Sequence, residues 1–174
     1  MMDSPGQNGW IDGAVARYER PLIGYAARLL GHDLNAARDV VQDAFVRLCS
    51  QDRTVVEPHL AEWLYAVVRN RAIDVRRKEG RMRLIDERDA EPTSRADPSD
   101  IVQTSSDAAS ITAMLDALPA NQAEVIRLKF QHGLSYQQIA GVTKLSVSNV
   151  GYLIHTGLKT LREKLRVNDE RNVR

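Results

Sequence analysis

The feature that most constrains this chain is the stretch Asp86–Asp107, DERDAEPTSRADPSDIVQTSSD. It holds two prolines, and its only large apolar residues are Ile101 and Val102. Such a segment cannot bury enough surface to offset the entropy lost on ordering. It reads as a linker over 84–110, which divides the chain into two modules, 10–83 and 111–168. Charge follows the same division. Residues 10–83 carry 13 Lys/Arg against 10 Asp/Glu, residues 84–115 carry 2 against 7, and residues 116–174 carry 9 against 5. The net charge of +1 therefore hides two basic modules joined by an acidic strap, and phosphate binding answers to the local balance.

Both modules carry helical periodicity, and neither shows sustained strand-like alternation. In the first, Ile11, Val15, Tyr18, Leu22, Ala26 and Leu29 recur at spacings of three and four. Pro21 inside that pattern predicts a kink or a break, and Gly31 is placed to end the helix. Ala36, Val40, Val41, Ala44, Phe45 and Leu48 share one face of a second helix. A third runs from about Leu60 to Lys78 behind Pro58, with Leu60, Leu64, Val67, Val68 and Val75 inward. In the second module a short helix covers Ile111 to Leu118, and Pro119 opens another holding Val125, Ile126, Leu128 and Phe130, ended by Gly133. Ser135 caps a short helix, Lys144 and Leu145 turn the chain, and Ser146 caps a long one with Val150, Leu153, Ile154, Leu158, Leu161 and Leu165. Short helix, tight turn, longer helix is a helix-turn-helix. The expected fold is all-α: two small helical domains joined by a flexible acidic linker, the C-terminal one a helix-turn-helix.

Three segments bear on function. Arg69 to Arg83, RNRAIDVRRKEGRMR, holds seven basic residues against two acidic. Arg69, Arg76 and Arg77 lie along one face, with Asn70, Asp74, Arg77 and Arg81 in the adjoining row. Asp74 is spaced to pair with Lys78. Such a face suits a phosphate backbone and one or two bases, although a solvated helix end also tolerates Arg. Trp63 and Tyr65 are either stacking platforms for unpaired bases or core residues. The second helix exposes Asp39, Gln42, Asp43 and Arg47, by themselves no more than a solvated face. On the last helix Ser146, Ser148, Asn149, Tyr152, His155, Thr156 and Lys159 lie opposite the leucines, where N-terminal side chains reach phosphates and base edges. Ser135, Tyr136 and Lys144 flank them in sequence.

The stretches DVVQDAFVRLC (39–49), EWLYAVVRNRAIDVRRK (62–78) and ALPANQAEVIRLKFQHGLSYQQIAGVTKLSVSNV (117–150) together resemble a bacterial RNA polymerase sigma factor of the extracytoplasmic-function (ECF) class. The resemblance spans about residues 12–83 and 108–166. It implies that Asp39, Gln42, Asp43 and Arg47 dock on the clamp helices of the polymerase largest subunit, with the flap as a further contact. It implies that Trp63, Arg69, Asn70, Asp74, Arg76, Arg77, Lys78 and Arg81 bind and melt the minus-ten element, Asn70 helping to capture a flipped base. The helix-turn-helix, through Ser135, Tyr136, Lys144, Ser146, Ser148, Asn149, Tyr152, His155, Thr156 and Lys159, would read the minus-thirty-five element. The acidic linker would thread near the RNA exit path. An anti-sigma factor is the implied regulator, covering the polymerase-binding face.

Other classes find little support. No apolar run approaches the roughly 20 residues that span a membrane, Met1–Trp10 lacks a signal core, and the single Cys49 forms no internal disulfide, so a cytoplasmic protein is expected. His32, His59, His132 and His155 are scattered without metal-ligand spacing, and no Gly-rich phosphate loop is present. No catalysis, cofactor or small-molecule substrate is expected, nor a sensor domain beyond the helix-turn-helix. Two alternatives stay open: a stand-alone helix-turn-helix regulator dimerising on a palindrome, and a sigma-like decoy that binds only an anti-sigma factor. The second draws on one departure from the class. Gly151, Leu153 and Thr156 stand where the class carries several Lys or Arg, and the remaining basic residues, Lys159, Arg162 and Lys164, come later. Replacing Gly151 with Lys is expected to tighten binding to minus-thirty-five duplexes; unchanged affinity across a salt titration would refute this.

Overall fold

The computed structural model describes the backbone of residues 5–86 and 106–172 and the side chains of 9–80 and 111–166. Among the described residues every regular element is helical: α1 (Pro5–Leu29), α2 (Leu34–Cys49), α3 (Arg53–Val56), a 3-10 turn (Glu57–His59), α4 (Leu60–Asp86), α5 (Ser106–Asp116), α6 (Ala120–Phe130), α7 (Tyr136–Thr143) and α8 (Val147–Asn172). They form two compact units. Most of the expected linker, residues 87–105, lies outside the described residues, and the flanking helices reach into its bounds, to Asp86 and from Ser106.

In the first unit α1, α2 and α4 pack on one another pairwise. Local signals set their ends. Gly31 adopts a left-handed φ of 66°, which lets the His32 N–H donate back to the Ala27 carbonyl at 2.7 Å, the closing bond of a Schellman turn. The Asp33 carboxylate then accepts the N–H groups of Asn35 and Ala36 at 2.9 Å, a cap worth about 1 kcal/mol. Asp52 caps α3 through the Thr54 hydroxyl and amide. These bonds, the hydroxyl first, hold its carboxyl below the ordinary range. Pro58 sits in the 3-10 turn that leads into α4.

Of the kink or break expected at Pro21, the break does not occur: α1 runs on through it. The lost backbone bond costs about 3 kcal/mol, but Leu22 and Ala26 just beyond it are wholly buried. Packing outweighs the local defect, because each buried large aliphatic side chain contributes roughly 1.5–3 kcal/mol. Of the two readings open for Tyr65, the structure takes the core one. Tyr65 is buried, and its ring meets that of Tyr25 edge-on with centroids 5.2 Å apart. Burial also pushes its phenol well above the ordinary value. It is a core residue and not a platform for bases. On α2 the inward alanine is Ala37 as well as Ala44, with Ala36 only half-buried.

In the second unit α6 and α8 form the main contact, with α7 and α5 packed beside them. Gly157 is why they come so close: a Cβ there would sit 2.6 Å from Ile126 Cδ1 and 3.4 Å from Gln122 Cβ. The buried Arg127 guanidinium on α6 pairs with Asp116 at the end of α5, and Lys164 Nζ on α8 donates to the Ala117 carbonyl at 3.2 Å. Together they hold the end of α5 in place. Phe130 and Leu165, grouped by periodicity with inward residues, are exposed, as is Ile111. Phe130 is the last residue of α6, and Leu165 lies well beyond Ile154, the last buried large side chain of α8 among the described residues.

Two outcomes follow from this packing. Tyr65→Ala should cost about 3–5 kcal/mol in urea unfolding, far more than Trp63→Ala, whose side chain is only half-buried; equal losses would count against the core assignment. Gly157→Val should separate α6 from α8 and cost roughly 1–3 kcal/mol, read as a lower thermal midpoint; an unchanged midpoint would mean that Ile126 simply moves aside.

Candidate nucleic-acid interfaces

The stripe that anchors α4, Leu64, Val68 and Ala72, is wholly buried. Beyond Ala72 the helix continues, but Asp74 and residues 76–80 are all exposed. The basic segment therefore projects past the hydrophobic core, because the apolar periodicity stops while the helical propensity of Arg, Lys and Glu does not. Asn70, Arg76, Arg77 and Lys78 are exposed, and Arg69 and Trp63 are half-buried. The Asp74 carboxylate pairs with Arg77 at 3.8 Å, where pairing with Lys78 was expected. Both side chains are well exposed, so this pair orders the row more than it stabilises the helix. Arg81 belongs to α4, but its side chain lies outside the described residues.

On α2, Asp39, Gln42 and Arg47 are exposed as expected, and Val46, which periodicity does not flag, stands 64% exposed among them. Asp43 differs. It is half-buried, and its carboxylate accepts from Arg71 Nε on α4 at 2.9 Å. Both side chains keep more than two-fifths of their exposure, which limits the pair to about 1 kcal/mol. Its consequence is geometric: it ties the acidic face of α2 to the helix that carries the basic segment.

In the second unit the helix-turn-helix is built by its caps. Ser135 and Gln138 form a reciprocal capping box at the start of α7. Lys144 takes a left-handed φ of 62° to end it, a conformation costing a non-glycine residue roughly 1 kcal/mol. The Ser146 hydroxyl then accepts the Asn149 N–H at the start of α8. Ser146, Ser148, Asn149, Tyr152, His155 and Lys159 are exposed together, and Tyr152 is 65% exposed. Thr156 departs from the expected face. It is half-buried, donating to the Tyr152 carbonyl at 2.9 Å and accepting from Gln122 Nε2 of α6 at 3.4 Å.

The missing charges of α8 look different in this setting. Leu153 and Thr156 are half-buried, so two of the three neutral positions are turned partly inward. At the third, Gly151, a Cβ would lie 3.6 Å from Tyr136 Cε2. The Tyr136 ring, at the first turn of α7, thus lies against the backbone of α8. Lys129 Nζ, from the last turn of α6, sits 5.4 Å from the centre of that ring. Further along α8, Lys159, Arg162 and Arg166 are exposed and take part in no ion pair among the described residues, whereas Lys164 is occupied at Ala117. Sequence reasoning passed over Lys129 and Arg166. Lys129 lies across a helix end and a glycine turn from Tyr136, so no helical spacing links them.

Among the described residues no group of three His, Cys, Asp or Glu is arranged to hold a metal, and no helix is long and apolar enough to cross a membrane.

Known proteins match both units. Residues 14–82 match the Sigma-70 region 2 family and residues 108–161 the Sigma-70, region 4 family. The ECF RNA polymerase sigma factor SigX of Bacillus subtilis is 30% identical over 141 residues, covering 76% of this chain and 72% of that protein. SigL of Mycobacterium tuberculosis, of the same description, is 30% identical over 141 residues, covering 79% and 78%. The Mycolicibacterium smegmatis sigma factor SigE is 28% identical over 166 residues, which are 94% of this chain but 64% of that protein. In fold, the chain resembles the Bartonella quintana sigma factor RpoE, solved in complex with the anti-sigma factor NepR, with a TM-score of 0.63 at 21% identity, covering 90% of this chain and 96% of that one. The matched regions, their order and these relatives establish that the chain belongs to the ECF RNA polymerase sigma factors.

Proposed function

We propose that this protein is a promoter-specificity subunit that binds core RNA polymerase, directs it to particular promoters and helps open the minus-ten region. The observation that carries the reading is the cationic second half of α4, exposed beyond a packed core, followed in the chain by a fully capped helix-turn-helix. A stand-alone regulator needs the second feature but has no use for the first.

In this reading Arg76, Arg77, Lys78 and Arg81 grip phosphates around the minus-ten element, and Asn70 holds a base taken out of the stack. Separating strands costs a few kcal/mol per unstacked base, which the captured bases must offset. Trp63, half-buried at the start of the same helix, offers one edge for that contact, while Tyr65 serves the core. Asp39, Gln42, Val46 and Arg47 on α2 form the polymerase-docking face. Asp43, bound to Arg71, transmits orientation from that face to α4. α8 reads the minus-thirty-five element through Ser148, Asn149, Tyr152 and His155, with Lys159 toward the backbone. An anti-sigma factor that covered the α2 face would block assembly with the polymerase. The protein would act in the cytoplasm, where its polymerase is, and have no turnover of its own.

Run-off transcription with core RNA polymerase, on the promoter upstream of the protein's own gene, tests this. A transcript should depend on the protein and fall at least tenfold with Arg76→Ala/Arg77→Ala, since each lost charged contact costs about 1.5–3 kcal/mol. No transcript, together with no co-elution with core enzyme, would overturn the reading.

A further inference from the structure

The opening turns of α8 present a face without Lys or Arg. From Val147 to Leu158 the helix carries neither, and over that stretch the exposed residues are Val147, Ser148, Asn149, Tyr152 and His155. Thr156 is withdrawn from the face. It is half-buried, its hydroxyl donating to the Tyr152 carbonyl and accepting from Gln122 of α6. Lys129 lies over the Tyr136 ring and Lys144 belongs to the turn before α8, so neither is carried on this face.

Each base presents its own pattern in the major groove. Guanine offers two acceptors, and the side chains that take both are Arg and Lys. Adenine offers an acceptor and a donor, which an Asn amide matches with its own donor and acceptor. Thymine offers a methyl group, which takes an apolar contact. The face of α8 holds readers for adenine and thymine and lacks the reader for guanine. Among the described residues the Asn149 side chain makes no hydrogen bond; its backbone N–H alone is used, by Ser146. The whole amide is therefore left for a base. Tyr152 follows three residues later and is 65% exposed, and residues three apart are neighbours on a helix surface.

We infer that α8 reads its minus-thirty-five element as adenine and thymine, Asn149 taking an adenine edge and Tyr152 a neighbouring thymine methyl, with no guanine fixed by the recognition helix. The inference rests on the reading of the second unit as the minus-thirty-five module, and goes beyond it by naming the bases. The neutral residues at 151, 153 and 156 then alter which bases are preferred and do not abolish binding. Grip on the DNA backbone, which carries no sequence information, is left to cations beyond this face, Lys159 among them.

Holoenzyme, reconstituted from the full chain and core RNA polymerase, is used to select from a pool of DNA duplexes randomised over a promoter's length, and the bound duplexes are sequenced. The upstream element enriched by the wild-type protein should centre on A·T pairs. With Asn149→Ala, preference for one adenine should fall about tenfold, the order of a bidentate pair. With Asn149→Arg, the same position should turn to guanine. With Tyr152→Ala, preference for the neighbouring thymine should be lost, and Tyr152→Phe, which keeps the ring, should retain it. Uracil in place of that thymine removes only the methyl. It should weaken the wild-type holoenzyme about threefold and leave Tyr152→Ala unaffected. Both side chains are exposed, so the variants should fold, which thermal melts check. An enriched upstream element built on guanine would overturn this inference and leave the minus-thirty-five reading in place. An A·T element indifferent to both alanine substitutions would overturn it too, assigning the preference to the shape of the DNA. No enriched upstream element, with the protein still co-eluting with core enzyme, would bring down the minus-thirty-five reading itself.

Discussion

Burial of α4 along only part of its length is the constraint on which the first unit depends. Leu64, Val68 and Ala72 lock the helix against α1 and α2, and no residue from Ile73 to Gly80 is buried. The packed half supplies rigidity. The free half inherits it, because a helix transmits orientation along its axis without further contacts. A basic segment on a loop would have to lose conformational entropy on meeting DNA, whereas one on an anchored helix has already lost it.

The second unit solves the same problem with a close helix pair. Gly157 lets α6 approach α8 at Ile126 and Gln122, and α7 packs across both. Fixing α6 so tightly fixes the position of Lys129 at its end, and through Tyr136 brings a charge beside the start of α8. The Arg127–Asp116 and Lys164–Ala117 contacts hold α5 to the same frame. Lys164 is thereby removed from the cations available to DNA, leaving Lys159, Arg162 and Arg166 on the outer side.

The polar contacts between helices are modest in energy and specific in geometry. Asp43 and Arg71 are each too exposed to stabilise the unit by more than about 1 kcal/mol. Yet they join the face proposed for the polymerase to the helix proposed for the minus-ten element. Thr156 does comparable work against Gln122 of α6. Both residues sit on faces that helical periodicity assigns to a partner, and both turn out to face another helix of the same chain.

What the sequence determined by itself is local. Helical periodicity, the caps at Ser135 and Ser146, the helix-ending glycines Gly31 and Gly133, and the exposed basic end of α4 all depend on residues within a few positions of one another, and all were legible. The acidic stretch separating the two units was legible for the same reason. What only the tertiary structure decided involves partners distant in sequence. Pro21 continues α1 because Leu22 and Ala26 are buried among other helices; Tyr65 is core because Tyr25 faces it; Phe130 is exposed because it ends its helix; Asp43 is occupied because Arg71 reaches it. Lys129 lies over the Tyr136 ring because the end of α6 and the start of α7 are brought together in the packed unit. Side-chain periodicity states which face of a helix is apolar, but it carries no information about how far along that face a neighbour extends or which polar group the neighbour presents.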